Sequence, residues 1–374
     1  MNPYSKTIQC RAAICFAPNQ PLFVKTIEVD PPKDNEVRVK IFANSICHSD
    51  INCCTGVYSF IKYPIIPGHE AAGIVESVGK NVSSVVVGDN VLLLVMSYCG
   101  LCLLCKNAKT NFCIKQRLVH TTMTDKTTRF KFNGQPVYHL FGISSLSEYT
   151  VVDEAQVIKI DQKARLDRVC LMACGFPTGY GAVVKVAKVE PLSMVGVWGL
   201  GAVGLAAIYG ASKCGASIII GVDIKEEKKE IAFKFGCTHF LNPTNSETTI
   251  KEAIKSITNG FGLDYALECV GSANVVEEAI ECTSAYGSIV VVGSTRRDDS
   301  FSISPNVFLS GKKLTGALVG GYKSKLEIPN LVAEYVEGKI DIEPFFTGNV
   351  DLIRINEAFE ELKNGNALRT VIKM

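Results

Sequence analysis

Val195-Gly-Val-Trp-Gly-Leu-Gly-Ala-Val-Gly204 decides the fold. Val195–Trp198 is an apolar run that reads as a buried strand, and a helical pattern begins near Gly204. The turn between them spells G-x-G-x-x-G with Gly199, Gly201 and Gly204. Three glycines alone would suit an ordinary turn. Set between a strand and a helix they take separate jobs. Gly199 makes the tight turn, Gly201 lets the backbone approach a pyrophosphate, and Gly204 lets helix and strand pack closely. The pyrophosphate then sits at the positive end of the helix. The next buried strand, Ile218–Asp223, ends in a carboxylate 19 residues past Gly204. Asp223 there accepts hydrogen bonds from an adenosine ribose and repels a 2′-phosphate, so NAD is expected over NADP. Lys228 either touches that ribose or faces solvent.

Outward from this turn the pattern keeps alternating. Helix-like Lys225–Gly236, strand-like Phe240–Asn242, helix-like 247–258, strand Leu263–Glu268, helix-like 272–286 and strand Ser288–Gly293 follow in order. The expected class is α/β, a Rossmann-type doubly wound parallel sheet. Residues 8–45 and 68–91 read differently, as short alternating strands broken by Pro, Gly and polar clusters. They predict a mainly-β domain. Residues 97–145 carry few regular signals, which metal bonds would make tolerable. Ser324–Met374 offers one or two helices and a strand-like Thr370–Lys373. The expected division is a catalytic domain over 1–175 with a metal lobe at about 97–115, a nucleotide domain over 176–319, and a return to the first domain over 320–374.

Composition narrows the function. The 374 residues are 47% hydrophobic, enough for two well-filled cores. A formal charge of +2 gives no electrostatic case for nucleic acid or an anionic membrane. No run of ~18 apolar residues predicts a membrane span. The polar start MNPYSKTIQC lacks a signal core, so a cytoplasmic setting is expected. With 15 cysteines in such a chain, reduced thiols and metal ligands are expected before disulfides.

Two cysteine sets stand out. Cys99, Cys102, Cys105 and Cys113 can close a tetrahedral thiolate shell around a structural zinc. Cys47, His69 and Cys174 are far apart in sequence and supply three soft ligands, leaving one coordination position for chemistry. His69 could instead be a satisfied core histidine, and Cys170 stands near Cys174. Two zinc sites with a nicotinamide cofactor point to alcohol oxidation or carbonyl reduction.

Cys47-His-Ser-Asp50, Gly68-His-Glu70, the Cys99–Cys113 lobe, Cys174-Gly-Phe-Pro-Thr-Gly-Tyr180 and Gly199–Gly204 occur together and in order. Over essentially its whole length the chain resembles the zinc-dependent medium-chain alcohol dehydrogenases, in their dimeric animal and plant branch. The resemblance implies a GroES-like catalytic domain and a homodimer paired near Phe301–Leu309. It gives Cys47, His69 and Cys174 the catalytic zinc, with Glu70 just behind. It gives Ser49 the alcohol proton, as first member of a relay leading toward the ribose. Thr178 would line the nicotinamide, Val203 and Val292 would pack on the rings, and His48 and Arg369 would reach the pyrophosphate.

Three departures matter. Many relatives carry a histidine where this chain has Asn52; an amide passes a hydrogen bond but takes up no proton near neutrality. His48 replaces a frequent arginine and carries less charge at neutral pH. Val95 and Leu140 stand where relatives often have phenylalanine, which implies a roomy pocket for medium-chain or branched alcohols. The alternative is S-(hydroxymethyl)glutathione as substrate, for which Arg117 would hold a carboxylate. A zinc-ribbon module that binds nucleic acid is disfavoured by the near-neutral charge. A retired relative is disfavoured by the intact ligand trio.

Overall fold

The computed structural model describes residues 6–115, 121–245, 247–296 and 298–374. The chain divides into two compact units, Met1–Cys174 with Lys323–Met374, and Gly175–Tyr322. Among the described residues no single helix is long and apolar enough to cross a membrane.

The first unit is mainly β. One sheet runs in the order Val157–Lys159, Asn90–Leu93, Glu70–Val78, Glu36–Ser45, Arg369–Lys373, Phe346–Asp351, with Tyr149–Asp153 also on Glu36–Ser45. Alternation explains it: Val37, Val39 and Ile41 point into one buried cluster with Val75, Val91 and Leu93. A second sheet joins Ile8–Ile14, Phe23–Val29, Phe130–Phe132, Gln135–His139 and Ile65–Ile66. Register positions the chemistry. Ser45 lies opposite both Glu70 and Val371. Cys47, His69 and Arg369 are therefore delivered to the same end of the sheet, each within two residues of that rung.

The second unit is a six-stranded parallel sheet in the order His239–Leu241, Ile218–Val222, Met194–Trp198, Leu263–Glu268, Thr283–Val291, Lys313–Gly316. The chain winds outward from Met194–Trp198 to one edge, then from Leu263–Glu268 to the other. This is the doubly wound Rossmann order, with its switch point between those two central strands.

Some elements differ from the sequence reading. The helix expected over 272–286 ends at Cys282, and the strand begins at Thr283 instead of Ser288. Thr283 Oγ1 donates to the Ala279 carbonyl, 2.7 Å away, and closes the helix there. The strand then absorbs an irregularity between its Leu263 and Tyr265 pairings, so its early residues break the alternation expected of a strand. The unassigned stretch 97–145 holds a one-turn helix, Leu103–Lys106, and two strands.

Candidate active site and metal centres

The helix His48–Cys54 starts directly after the strand Glu36–Ser45, and its N-cap is Cys47. Asp50, at the third helical position, is fully buried and does three jobs. Oδ2 accepts the Cys47 N–H at 3.0 Å. Oδ1 accepts the Gly68 N–H at 2.9 Å and the His69 Nδ1–H at 2.9 Å. With Nδ1 as donor, Nε2 must carry the lone pair. That atom is buried and has no hydrogen-bond partner among the described residues. The Cys47 and Cys174 sulfurs, His69 and a Glu70 oxygen all lie within 4.8 Å of one another. Two thiols facing an orphaned imidazole lone pair suit a soft divalent metal, and the donor set is that of zinc.

Charge is balanced behind the cluster. Arg369 is buried, with Nε 3.1 Å from Glu70 Oε2 and Nη2 3.2 Å from Oε1 and 3.6 Å from Cys47 Sγ. Ser45 Oγ donates to the same carboxylate. Burial raises the Glu70 carboxyl to about 7 against the pull of Arg369. The Cys174 thiol, and then Arg369, hold Cys47 well below the ordinary thiol range. The pyrophosphate role expected of Arg369 is thus joined by a second one, fixing Glu70. Ser49 and Asn52 are half-buried and three residues apart, on one helix face. His48 is exposed. Cys170 is fully buried and raised to about 12 by burial, whereas Cys174 joins the cluster.

The expected pocket residues fall differently. Leu140 is fully buried in the core cluster of the second sheet. Phe141, next along, meets the His69 ring edge-on at 5.6 Å and 87°. Phe141 has φ +53° and Gly142 +72°, so the backbone leaves extended geometry just past the strand Gln135–His139, where the Phe141 ring meets His69. Gln156 Nε2 holds the Phe141 carbonyl at 2.9 Å. Tyr58 and Phe60 stack at 5.4 Å and 13°, with Phe141 6.3 and 6.5 Å away. Val95 is buried in the cluster against which Cys174 and Phe141 pack. Asp50 and Phe141 both meet His69, and the sequence reading gave neither a role. A carboxylate three residues past Cys47 was the available signal for the first; none announced the second. Arg117 lies outside the described residues.

Cys99, Cys102, Cys105 and Cys113 converge within 4.8 Å. Their sulfurs stand 3.9 Å apart (Cys99–Cys105) and 4.0 Å apart (Cys102–Cys113). A zinc tetrahedron with Zn–S near 2.3 Å has edges of about 3.8 Å, so the cradle fits. The Ile114 and Cys105 N–H groups, each 3.4 Å from Cys102 Sγ, lower that thiol to about 6. Lys323 Nζ donates to the Cys105 and Asn107 carbonyls at 2.6 and 2.8 Å.

In the second unit Gly199 takes φ +84°. A Cβ on Gly204 would lie 1.9 Å from the Gly199 carbonyl oxygen, while one on Gly201 would meet nothing within 4 Å. The first two facts explain the tight turn and the close packing; the third leaves open space before the helix Ala202–Lys213. Asp223 is pinned, Oδ2 accepting the Leu200 N–H at 2.7 Å and Oδ1 the Lys225 N–H at 2.9 Å. Lys228 is half-buried, and burial lowers its ammonium pKa. Thr178, Val203 and Val292 are each partly exposed.

Comparison with known proteins agrees with this geometry. Residues 33–162 match the alcohol dehydrogenase GroES-like domain and residues 202–337 the zinc-binding dehydrogenase family. The chain is 43% identical to an alcohol dehydrogenase class-3 of Pisum sativum over 98% of each. It is similar to a benzyl alcohol dehydrogenase structure from Acinetobacter calcoaceticus, at 31% identity and TM-score 0.90, covering 98% of this chain and 99% of that one. A Burkholderia ambifaria structure titled alcohol dehydrogenase zinc-binding domain protein matches at 29% identity and TM-score 0.91, covering 99% and 100%. The chain belongs to the zinc-dependent medium-chain alcohol dehydrogenases, oxidoreductases acting on CH–OH groups.

Proposed function

We propose that this chain reversibly transfers hydride between NAD and a bulky primary or secondary alcohol, giving an aldehyde or ketone. The observation that carries the reading is the orphaned Nε2 of His69 facing Cys47 and Cys174. Zinc held by Cys47, His69 and Cys174 would supply Lewis-acid polarisation of the substrate oxygen. Cys99, Cys102, Cys105 and Cys113 would hold a second zinc for structure alone.

The chain's own residues do the rest. Asp50 fixes the His69 tautomer and ring direction. Ser49 takes the substrate hydroxyl proton and passes it to the ribose or to water. Asn52, beside this path, offers a hydrogen bond but takes up no proton, so oxidation is slow near neutrality. Asp223 accepts the adenosine ribose hydroxyls, with Lys228 beside it, and favours NAD. His48 and Arg369 serve the pyrophosphate, and Thr178, Val203 and Val292 the nicotinamide. Phe141, Tyr58 and Phe60 supply an apolar ring surface beside His69, which supports bulky substrates. We further read 1–175 with 320–374 as the catalytic domain and 176–319 as the NAD domain. The enzyme is read as a cytoplasmic homodimer.

A second reading is favoured by the similarity to a class-3 enzyme: the glutathione adduct of formaldehyde as substrate. Initial rates over octanol, cinnamyl alcohol and S-(hydroxymethyl)glutathione, each with NAD and NADP, separate the two. Absence of cofactor-dependent turnover with all three, in protein containing zinc, would reject both.

A further inference from the structure

We propose that Glu268 is the positioning residue for the nicotinamide half of the cofactor, because it ties together the two loops that follow the strands Leu263–Glu268 and Thr283–Val291. The proposal rests on the dinucleotide reading of the Gly175–Tyr322 unit. In a doubly wound sheet, ligands bind outside the carboxyl ends of the strands at the switch point. Asp223 ends its strand on the side of the switch that takes the adenosine. The other mononucleotide half begins with Leu263–Glu268, so the nicotinamide nucleotide falls to the loops after this strand and the next.

Glu268 is the last residue of that central strand and is fully buried. Its Oε1 accepts the Val270, Gly271 and Ser272 N–H groups at 2.8, 2.6 and 3.4 Å. Its main-chain carbonyl accepts the Val292 and Gly293 N–H groups at 2.8 and 2.9 Å. One residue therefore holds the leading donors of both loops. The loops also touch backbone to backbone. A Cβ on Gly293 would lie 2.1 Å from the Gly271 nitrogen and 2.9 Å from Glu268 Oε2. A Cβ on Gly271 would lie 2.5 Å from the Ser294 carbonyl oxygen. Both positions admit only glycine, and the carboxyl fills the space between them.

Oε2 is buried and has no hydrogen-bond partner among the described residues. An unmatched buried carboxyl oxygen costs stability, so an apolar side chain would serve the core better. What an apolar side chain could not do is gather three N–H groups of one loop beside the start of the other. Val292, which opens the second loop, is the residue read as packing on the nicotinamide ring. Removing the Glu268 carboxyl frees the Val270–Ser272 loop on which Gly293 packs; Gly199 borders that loop at Val270, while Gly201 and Gly204 lie clear of it and Asp223 keeps its own Leu200 and Lys225 contacts.

The test separates the halves of the cofactor. Dissociation constants for NADH, by nicotinamide fluorescence, and for ADP, by calorimetry, are measured on the holoenzyme and its Glu268→Leu and Glu268→Gln variants. Leu removes both side-chain oxygens and leaves the main-chain carbonyl on Val292 and Gly293; Gln keeps one side-chain carbonyl oxygen for the three N–H groups. The Leu variant is expected to raise the NADH constant about tenfold or more and leave that for ADP within about twofold, with Gln returning NADH to within about threefold of wild type. Equal weakening of both ligands, or an unchanged NADH constant, overturns the proposal. If the Leu variant does not fold, Glu268→Asp, one methylene too short to reach the same N–H groups, gives the same decision. A wild-type enzyme that binds neither NADH nor ADP would instead remove the dinucleotide reading, and this proposal with it.

Discussion

His139 should make the first unit acid-labile through a single proton. The residue ends the strand Gln135–His139 and is fully buried. Its ring stacks on Phe130 at 4.4 Å, and Nε2 accepts the Arg129 N–H at 3.2 Å. Nδ1 therefore carries the hydrogen, and it has no partner among the described residues. Burial, and then the Arg129 guanidinium, push the imidazole down to about 3. An unfolded histidine titrates near 6.5. The folded value is the lower one, so the unfolded chain binds the proton first. Stability is full above about pH 6.5 and falls as pH drops toward the folded value. Between pH 7 and pH 5 the loss is about 2 kcal/mol, nearly all of it below pH 6.5. Glu36 and Asp125, the carboxylates paired with Arg129, are common to wild type and variant, and their contribution cancels in the difference. His139→Gln keeps an acceptor for Arg129 and takes up no proton. Urea unfolding of the holoenzyme at pH 7, 6 and 5 should show the wild type losing about 2 kcal/mol relative to the variant. Parallel stability curves across that range would refute the reasoning.

Asp50→Asn should leave the fold intact yet loosen the metal held at His69, with about 10- to 100-fold lower metal affinity; zinc release to a chromogenic chelator measures it, and unchanged retention counts against the Asp50 role. Phe141→Ala should lower kcat/KM for cinnamyl alcohol by about tenfold while changing that for ethanol far less, since a ring contact contributes about 0.5–1.5 kcal/mol beyond its buried area; equal losses would mean the ring does not meet substrate. Asp223→Asn removes the carboxylate that holds the Leu200 and Lys225 N–H groups. The NADH dissociation constant should rise about tenfold, and an unchanged value in a fluorescence titration would dismiss the ribose role.

The second unit was legible because its signals are local. A strand, three glycines and a helix start sit within ten residues, and buried parallel strands announce themselves as short apolar runs. The metal sets were legible from residue type, since soft ligands are few and Cys99–Cys113 is one run. Asp50 was quoted within its motif but given no role, because only the fold shows which way a carboxylate one helical turn past Cys47 points. Leu140 was expected at the pocket from the resemblance alone; it lies in the core, and the positive φ at Phe141, Gly142 and Ser144, which no sequence pattern announces, accompanies a Phe141 ring set against His69. The Glu70 contact of Arg369 joins residues 299 positions apart, beyond the reach of any pattern.

The mooring of Lys323 on the carbonyls of Cys105 and Asn107 reaches past the cysteine lobe itself. Ser324 Oγ, one residue on, is anchored to the Met96 carbonyl at 2.6 Å. The polypeptide thus re-enters its first unit along a berth built from the thiolate loop and the segment just before it. A metal held by Cys99, Cys102, Cys105 and Cys113 would thereby secure the splice of a discontinuous domain, and its loss would unfasten the C-terminal strand that carries Arg369 to Glu70.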